Sequence, residues 1–189
     1  MSGGDARGPR RLRLFFALWP SDALRAALAA AAAPVYTQVK GEPVPPGNLH
    51  VTLAFLGSAP GAALAHLIEA GGQGPWPAVE LAFGRLEYWA KPRVLVAMPL
   101  EVPAAGQAIV DRLWQAAASL GFERESRPWQ PHLTVVRRIR RPPPENLALP
   151  PLEASSWRLA LVESASHPEG VRYKPLAEWQ LSGRGDSPL

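Results

Sequence analysis

The chain has no cysteine among its 189 residues, which removes disulfides, thiolate metal sites and cysteine nucleophiles together. It also lacks a long uninterrupted apolar run. The best candidate, residues 23–35, is broken by Arg25 and Pro34 and is too short and alanine-rich to span a bilayer. The N-terminus shows neither the apolar core nor the small-residue cleavage site of a secretory signal. A soluble, cytoplasmic protein without membrane association is expected. There is no His-Glu-x-x-His pattern and no cluster of aspartates, so a zinc or two-metal site lacks ligands and no cofactor is called for. Threonine is confined to Thr37, Thr52 and Thr134, and histidine to four positions. Such scarcity gives weight to any pattern that uses both.

What is present suits a globular fold: 47% of residues are hydrophobic and mean hydropathy is −0.06, enough for one substantial core or two small coupled ones. A net charge of +4, a pI near 10.0 and an excess of arginine over lysine fit an anionic partner, a phosphate or a nucleic acid. Residues 1–10 are glycine-rich and charged and read as a disordered leader; residues 182–189 read as a flexible tail. The Arg184-Gly185-Asp186 tripeptide in that tail is read as a polar terminus rather than an adhesion signal.

Between these ends the pattern repeats. Residues 12–19 read as an apolar strand, Ser21-Asp22 caps a helix to about residue 33, and a proline-rich link over 43–46 leads to a strand over 50–56. Residues 94–98 then read as a strand, 103–120 as a helix closed by Gly121, and 127–131 as the link to a strand over 132–136. Further strands are expected at 79–85, 157–163 and 173–181, with a short helix at 62–70. The order points to an α+β fold, bilobal, over residues 11–181: two pseudo-symmetric halves, each an antiparallel sheet with helices on its outer face and an active-site cleft between them. Two self-contained lobes give no need of a partner copy, so a monomer is expected.

The two corresponding strands carry the chemistry. His50-Val51-Thr52-Leu53 and His132-Leu133-Thr134-Val135 share one pattern. In a strand, residues two apart share a face, so each segment offers an imidazole and a hydroxyl to the same space while Val51, Leu53, Leu133 and Val135 face a core. Two imidazoles near pKa 6.5 serve a reaction that removes one proton and supplies another near neutrality, as hydrolysis of a phosphodiester does. The threonine hydroxyls can hydrogen-bond phosphoryl oxygens. Arg137 is the nearest guanidinium for the same oxygens. Strict alternation puts Arg137 on the face opposite His132, so a bulge or the strand's end must re-aim it. The symmetry of the motifs leaves open which histidine is acid and which is base.

The paired His-x-Thr-x motifs, residues 48–57 and 131–137, and the opening Leu14-Phe15-Phe16-Ala17-Leu18 resemble the 2H phosphoesterase superfamily. The nearest branch is the RNA 2′,3′-cyclic phosphodiesterases, formerly called 2′-5′ RNA ligases (LigT/ThpR-like). The late residues Glu163-Ser164, Pro168-Glu169-Gly170 and Tyr173 resemble that family's C-terminal strand pair. The resemblance implies a two-lobed fold around a cleft and metal-independent hydrolysis of a terminal 2′,3′-cyclic phosphate to a 2′-phosphomonoester. It further implies that His50 is the proton donor and His132 the proton acceptor, that Thr52, Thr134 and Arg137 bind phosphate, and that the partner is an RNA or oligonucleotide end.

Other residues have plainer readings. His66 and His167 are expected to be structural, and Trp76, Trp89, Trp114, Trp157 and Trp179 to sit in the core or between lobes. Phe15 and Trp129 are the candidates for stacking on a base. The basic run of Arg137, Arg138, Arg140 and Arg141 reads as a solvated edge that can steer a polynucleotide. Two competing functions remain: a noncatalytic RNA-end or nucleotide-binding module, and a metal-dependent hydrolase. Ligation of a cyclic phosphate to a 5′-hydroxyl is the chemical reverse of the hydrolysis, with RNA in place of water.

Overall fold

The computed structural model describes residues 10–168 and 170–182. The expected leader and tail, with Arg184-Gly185-Asp186, lie outside the described residues except at Arg10 and Ser182, as does Glu169 of the Pro168-Glu169-Gly170 turn.

The chain runs β1 (Arg11–Pro20), α1 (Asp22–Tyr36), β2 (Glu42–Pro43), a 3-10 turn (Pro46–Asn48) and β3 (Val51–Pro60). It continues through a 3-10 turn (Gly61–Ala63), α2 (Leu64–Gly72), β4 (Trp76–Pro77), β5 (Leu81–Trp89), β6 (Val94–Pro99) and α3 (Ala104–Ala118). It ends with β7 (Leu133–Arg137), β8 (Leu152–Ala154), β9 (Trp157–His167) and β10 (Gly170–Ser182). The fold is α+β, as the sequence implies.

Ser21 caps α1 by accepting the Leu24 N–H at 3.2 Å. The helix buries Leu24, Leu28, Ala32 and Val35, a stripe at spacings of four, four and three. It runs past residue 33 and through Pro34 to Tyr36. Fully buried Val35 holds this last turn against the core, and the Pro34 carbonyl accepts bonds from Thr37 Oγ1 and Gln38 Nε2, both at 3.0 Å. In α3, Ile109, Val110, Leu113, Trp114 and Ala117 are buried, and Gly121 takes a φ of +82° just beyond its end.

Among the described residues, all ten strands join one sheet in the order β4-β10-β9-β1-β3-β7-β6-β5-β8, with β2 added beside β7. Pairing is antiparallel except between β4 and β10. The two halves meet at β3 and β7, through the pair Val51–Leu133, and β2, which leads into β3, adds Glu42–Arg137 and Pro43–Val136. α1 bridges that joint, packing on β1 and β8, while α3, which leads into β7, packs on β3 and β4. One continuous core results, containing Leu14, Phe16 and Leu18 of β1, Val51, Leu133, and the buried stripes of all three helices. The opposite face of β1 carries a second, smaller cluster of Phe15, Ala17, Trp19, Ala160 and Val162, with Tyr173 against it and no helix residue in it. The helices thus fill one face of the sheet and leave the other for a site.

Candidate active site

The joint between the halves is where the two motifs meet. Val51 and Leu133 are paired and both buried, at 0% and 2% exposure, so their neighbours point to the other face. The same register sets His50 across from Thr134 and Thr52 across from His132. The two histidines then stand on the diagonal, where side chains on one face are about 7–8 Å apart. All four side chains are half-buried. This spacing suits two imidazoles flanking one phosphorus atom.

Each imidazole is held by the same local device. His50 Nδ1 lies 2.7 Å from the Asn48 carbonyl oxygen and His132 Nδ1 lies 2.8 Å from that of Gln130. A carbonyl only accepts, so each Nδ1 carries the proton and each Nε2 is the free nitrogen of the neutral ring. Thr52 Oγ1 sits 3.1 Å from His50 Nε2. Burial pushes His50 down to about 4 from its ordinary value, the Asn48 carbonyl resists, and Arg137 and His132 push further down. His132 is also lowered, first by burial and then by Arg127 and Arg137, against the Gln130 carbonyl. Both rings are therefore neutral at neutral pH until an anion joins them.

Arg137 reaches this face through a bulge. Val96 pairs with Thr134 and Leu95 with Val136, which leaves Val135 as an extra residue in β7 and inverts the alternation after it. Burial along β7 reads accordingly: Thr134 and Arg137 are partly exposed, Val135 and Val136 buried. The first motif has the same bulge, because Ala17 pairs with Thr52 and Phe16 with Ala54, leaving Leu53 extra. Two adjacent apolar residues follow each threonine, Leu53-Ala54 and Val135-Val136. Arg137 Nη2 donates to the Tyr173 hydroxyl at 3.0 Å, and its buried Nε has no hydrogen-bond partner.

Comparison with known proteins assigns the family. The model of the 2′-5′ RNA ligase superfamily matches residues 20–167. The chain belongs to this superfamily. Among its relatives, the RNA 2′,3′-cyclic phosphodiesterase of Thermus thermophilus is 31% identical over 184 residues, covering 91% of each chain. The protein of that name from Escherichia coli is 29% identical over 90% of this chain and 97% of its own. The structure of E. coli LigT complexed with 3′-AMP superposes with a TM-score of 0.77 at 27% identity, covering 92% of this chain and 99% of that one.

In this superfamily member Trp76, Trp114 and Trp157 are buried in the core as expected, while other aromatic side chains are placed differently. Phe15 is not a platform for a base: it is 3% exposed, and its ring lies under His50 at 4.9 Å between centroids. Alternation along β1 puts Phe15 and Trp19 on the site face, and Trp19 stacks on His50 at 6.1 Å. Trp129 is half-buried, with Nε1 donating to the Thr52 carbonyl at 2.8 Å. Trp89, expected in the core or between the halves, is partly exposed and lies 4.5 Å from the His132 ring. Trp89, Trp129 and the 38% exposed Phe55 line a pocket that also reaches His132, Thr52 and Arg127.

The remaining histidines stand apart. His66 and His167 are exposed, on α2 and at the end of β9. The basic run is split by Ile139, 1% exposed, and Arg138 is paired with Glu42 at 2.9 Å. Among the described residues, no three histidine, aspartate or glutamate side chains form a group able to hold a metal, and no helix is long and apolar enough to cross a membrane. Sequence reasoning used Asn48 and Tyr173 only as part of the family resemblance and gave neither a role. Asn48 donates through Nδ2 to the Val171 carbonyl at 2.8 Å and accepts the Tyr173 N–H at 3.1 Å.

Proposed function

We propose that this protein is an enzyme that hydrolyses the terminal 2′,3′-cyclic phosphate of RNA to a 2′-phosphomonoester, by metal-independent acid/base catalysis between His50 and His132. The observation that supports it is the register at Val51–Leu133, with His50 and His132, each tethered through Nδ1 to a backbone carbonyl, on either side of that pair. His132 Nε2 takes a proton from water as the oxygen attacks phosphorus. The bond from phosphorus to the 3′ oxygen breaks, and His50 supplies its proton to that oxygen. Thr52, Thr134 and Arg137 hold the non-bridging oxygens, and the buried Arg137 Nε is a donor suited to one of them. The anion between the rings favours the imidazolium that burial alone disfavours.

In this reading the Trp89–Trp129–Phe55 pocket stacks a base of the substrate, and residues 11–181 work as one two-lobed domain, as a monomer in the cytoplasm. Ligation runs through the same groups, with an RNA 5′-hydroxyl replacing water.

The test is an RNA oligonucleotide ending in a 2′,3′-cyclic phosphate, incubated with wild type, His50→Ala and His132→Ala in the presence of a chelator. Wild type yields the 2′-phosphate with chelator present. Each variant loses roughly 10²–10⁴-fold in turnover while still binding the RNA. Turnover equal to wild type in both variants would refute the mechanism. Activity abolished by chelator would restore the metal-dependent alternative, and binding without turnover in wild type would favour a noncatalytic module.

A further inference from the structure

β10 stands three strands from β3 in the sheet, with β9 and β1 between. At about 4.8 Å per strand a flat sheet would hold them roughly 14 Å apart. Yet the Tyr173 ring of β10 meets His50 edge-on at 5.0 Å and Phe15 at 5.1 Å. The C-terminal hairpin therefore curls over the site face. A register shift between Pro175 and Ala177 leaves Leu176 extra in β10, the kind of irregularity that bends a strand.

What closes the curl is one side chain. Asn48 gives its amide N–H to the Val171 carbonyl and takes the Tyr173 N–H on its amide oxygen. Residues 171 and 173 present these groups on one edge of β10, so the asparagine amide pairs with that edge as a neighbouring strand's peptide would. The same residue's backbone carbonyl holds His50 Nδ1. Tyr173 in turn accepts Arg137 Nη2. A continuous path of hydrogen bonds thus links His50, on the first motif, to Arg137, beyond the second.

We propose that Asn48 and Tyr173 are positioning residues for the hydrolysis set out above: Asn48 pins the hairpin over the cleft, and the Tyr173 hydroxyl fixes the aim of the Arg137 guanidinium at the phosphoryl group. The inference rests on that functional reading. Arg137 carries several donors on a flexible stem, and a bond to one terminal nitrogen leaves Nε and the other terminus for an anion in a fixed plane. The Tyr173 hydroxyl acts through Arg137, while its ring packs edge-on against His50.

The experiment is a double-mutant cycle on the cyclic-phosphate RNA, with inorganic phosphate as competitive inhibitor. Tyr173→Phe keeps the ring and removes only the hydroxyl; it is expected to lower kcat about ten-fold and to weaken phosphate inhibition, in line with losing a hydrogen bond to a charged group. In an Arg137→Ala background the same change has no further effect, which a merely structural role for the hydroxyl would not produce. Asn48→Ala lowers kcat similarly and speeds hydrogen exchange at the Tyr173 amide; if this variant fails to fold, the Tyr173→Phe cycle alone decides. Tyr173→Phe within two-fold of wild type, or losses at Tyr173 and Arg137 that multiply, would overturn the proposal. Failure of the underlying reading looks different, since His50→Ala and His132→Ala would then retain turnover.

Discussion

At the scale of single residues, the sharpest consequence concerns protons. His50 is pushed down to about 4 and His132 is lowered as well, both chiefly by burial. A reaction needing one imidazolium and one imidazole gives a bell-shaped kcat/KM whose limbs report the two free-enzyme values. Both limbs therefore fall below the ordinary histidine value of about 6.5, and kcat/KM declines as pH climbs past it. Once substrate binds, its negative charge opposes the push from Arg137 and favours the protonated ring, so the alkaline limb of kcat lies at higher pH than that of kcat/KM. Initial rates from pH 4 to 9 on the cyclic-phosphate RNA measure both profiles. A kcat/KM centred above pH 7 would contradict the assignment of these two rings.

At the scale of elements, the position of Trp129 depends on a glycine in α3. A Cβ at Gly106 would stand 2.6 Å from the far edge of the Trp129 ring, and that ring is not free to yield, because Nε1 is bonded to the Thr52 carbonyl. In an exposed helix Gly→Ala stabilises by about 1 kcal/mol. At Gly106 the overlap outweighs that gain: Gly106→Ala is expected to destabilise by roughly 1–3 kcal/mol, as overpacked sites do, and to raise KM by displacing Trp129 from its pocket. Urea unfolding and steady-state kinetics check the two effects separately. An alanine variant more stable than wild type with unchanged KM would show that the ring moves aside without consequence.

Elements are also where the sequence was most and least informative. The helices and longer strands were legible because burial follows their periods, as with Leu24, Leu28, Ala32 and Val35 in α1. Two-residue strands such as β2 and β4 carry no period to read. The bulges at Leu53 and Val135 were harder, since an extra apolar residue looks like its neighbours; only the need to re-aim Arg137 hinted at the second. The histidines and threonines were legible as a repeated local pattern. Asn48 and Tyr173 were not, because their partnership spans 125 residues and depends on a curl in the sheet that no local pattern encodes.

At the scale of the whole molecule, the sequence duplication suggests lobes that could come apart, and the packing argues against it. β3 and β7 share one residue pair and β2 adds two more to β7, a weak link by itself. The helices make the connection strong: α1, which follows β1, also packs on β8, and α3, which precedes β7, also packs on β3. Their apolar stripes belong to one continuous core, and burial of that shared surface is the dominant stabilising contribution. Opening the joint would expose Val51, Leu133 and the facing stripe of α3 at once. The protein should therefore unfold in a single cooperative transition rather than lobe by lobe. Thermal melts followed by far-UV circular dichroism and by tryptophan fluorescence should coincide, and the calorimetric enthalpy should equal the van't Hoff value. Tryptophans report from both halves, with Trp19 and Trp157 on one side of the joint and Trp89 on the other, so independent lobes would separate the two curves. Two transitions would mean that each half sustains its own core, and that the alignment of His50 with His132 is set by lobe docking rather than by folding.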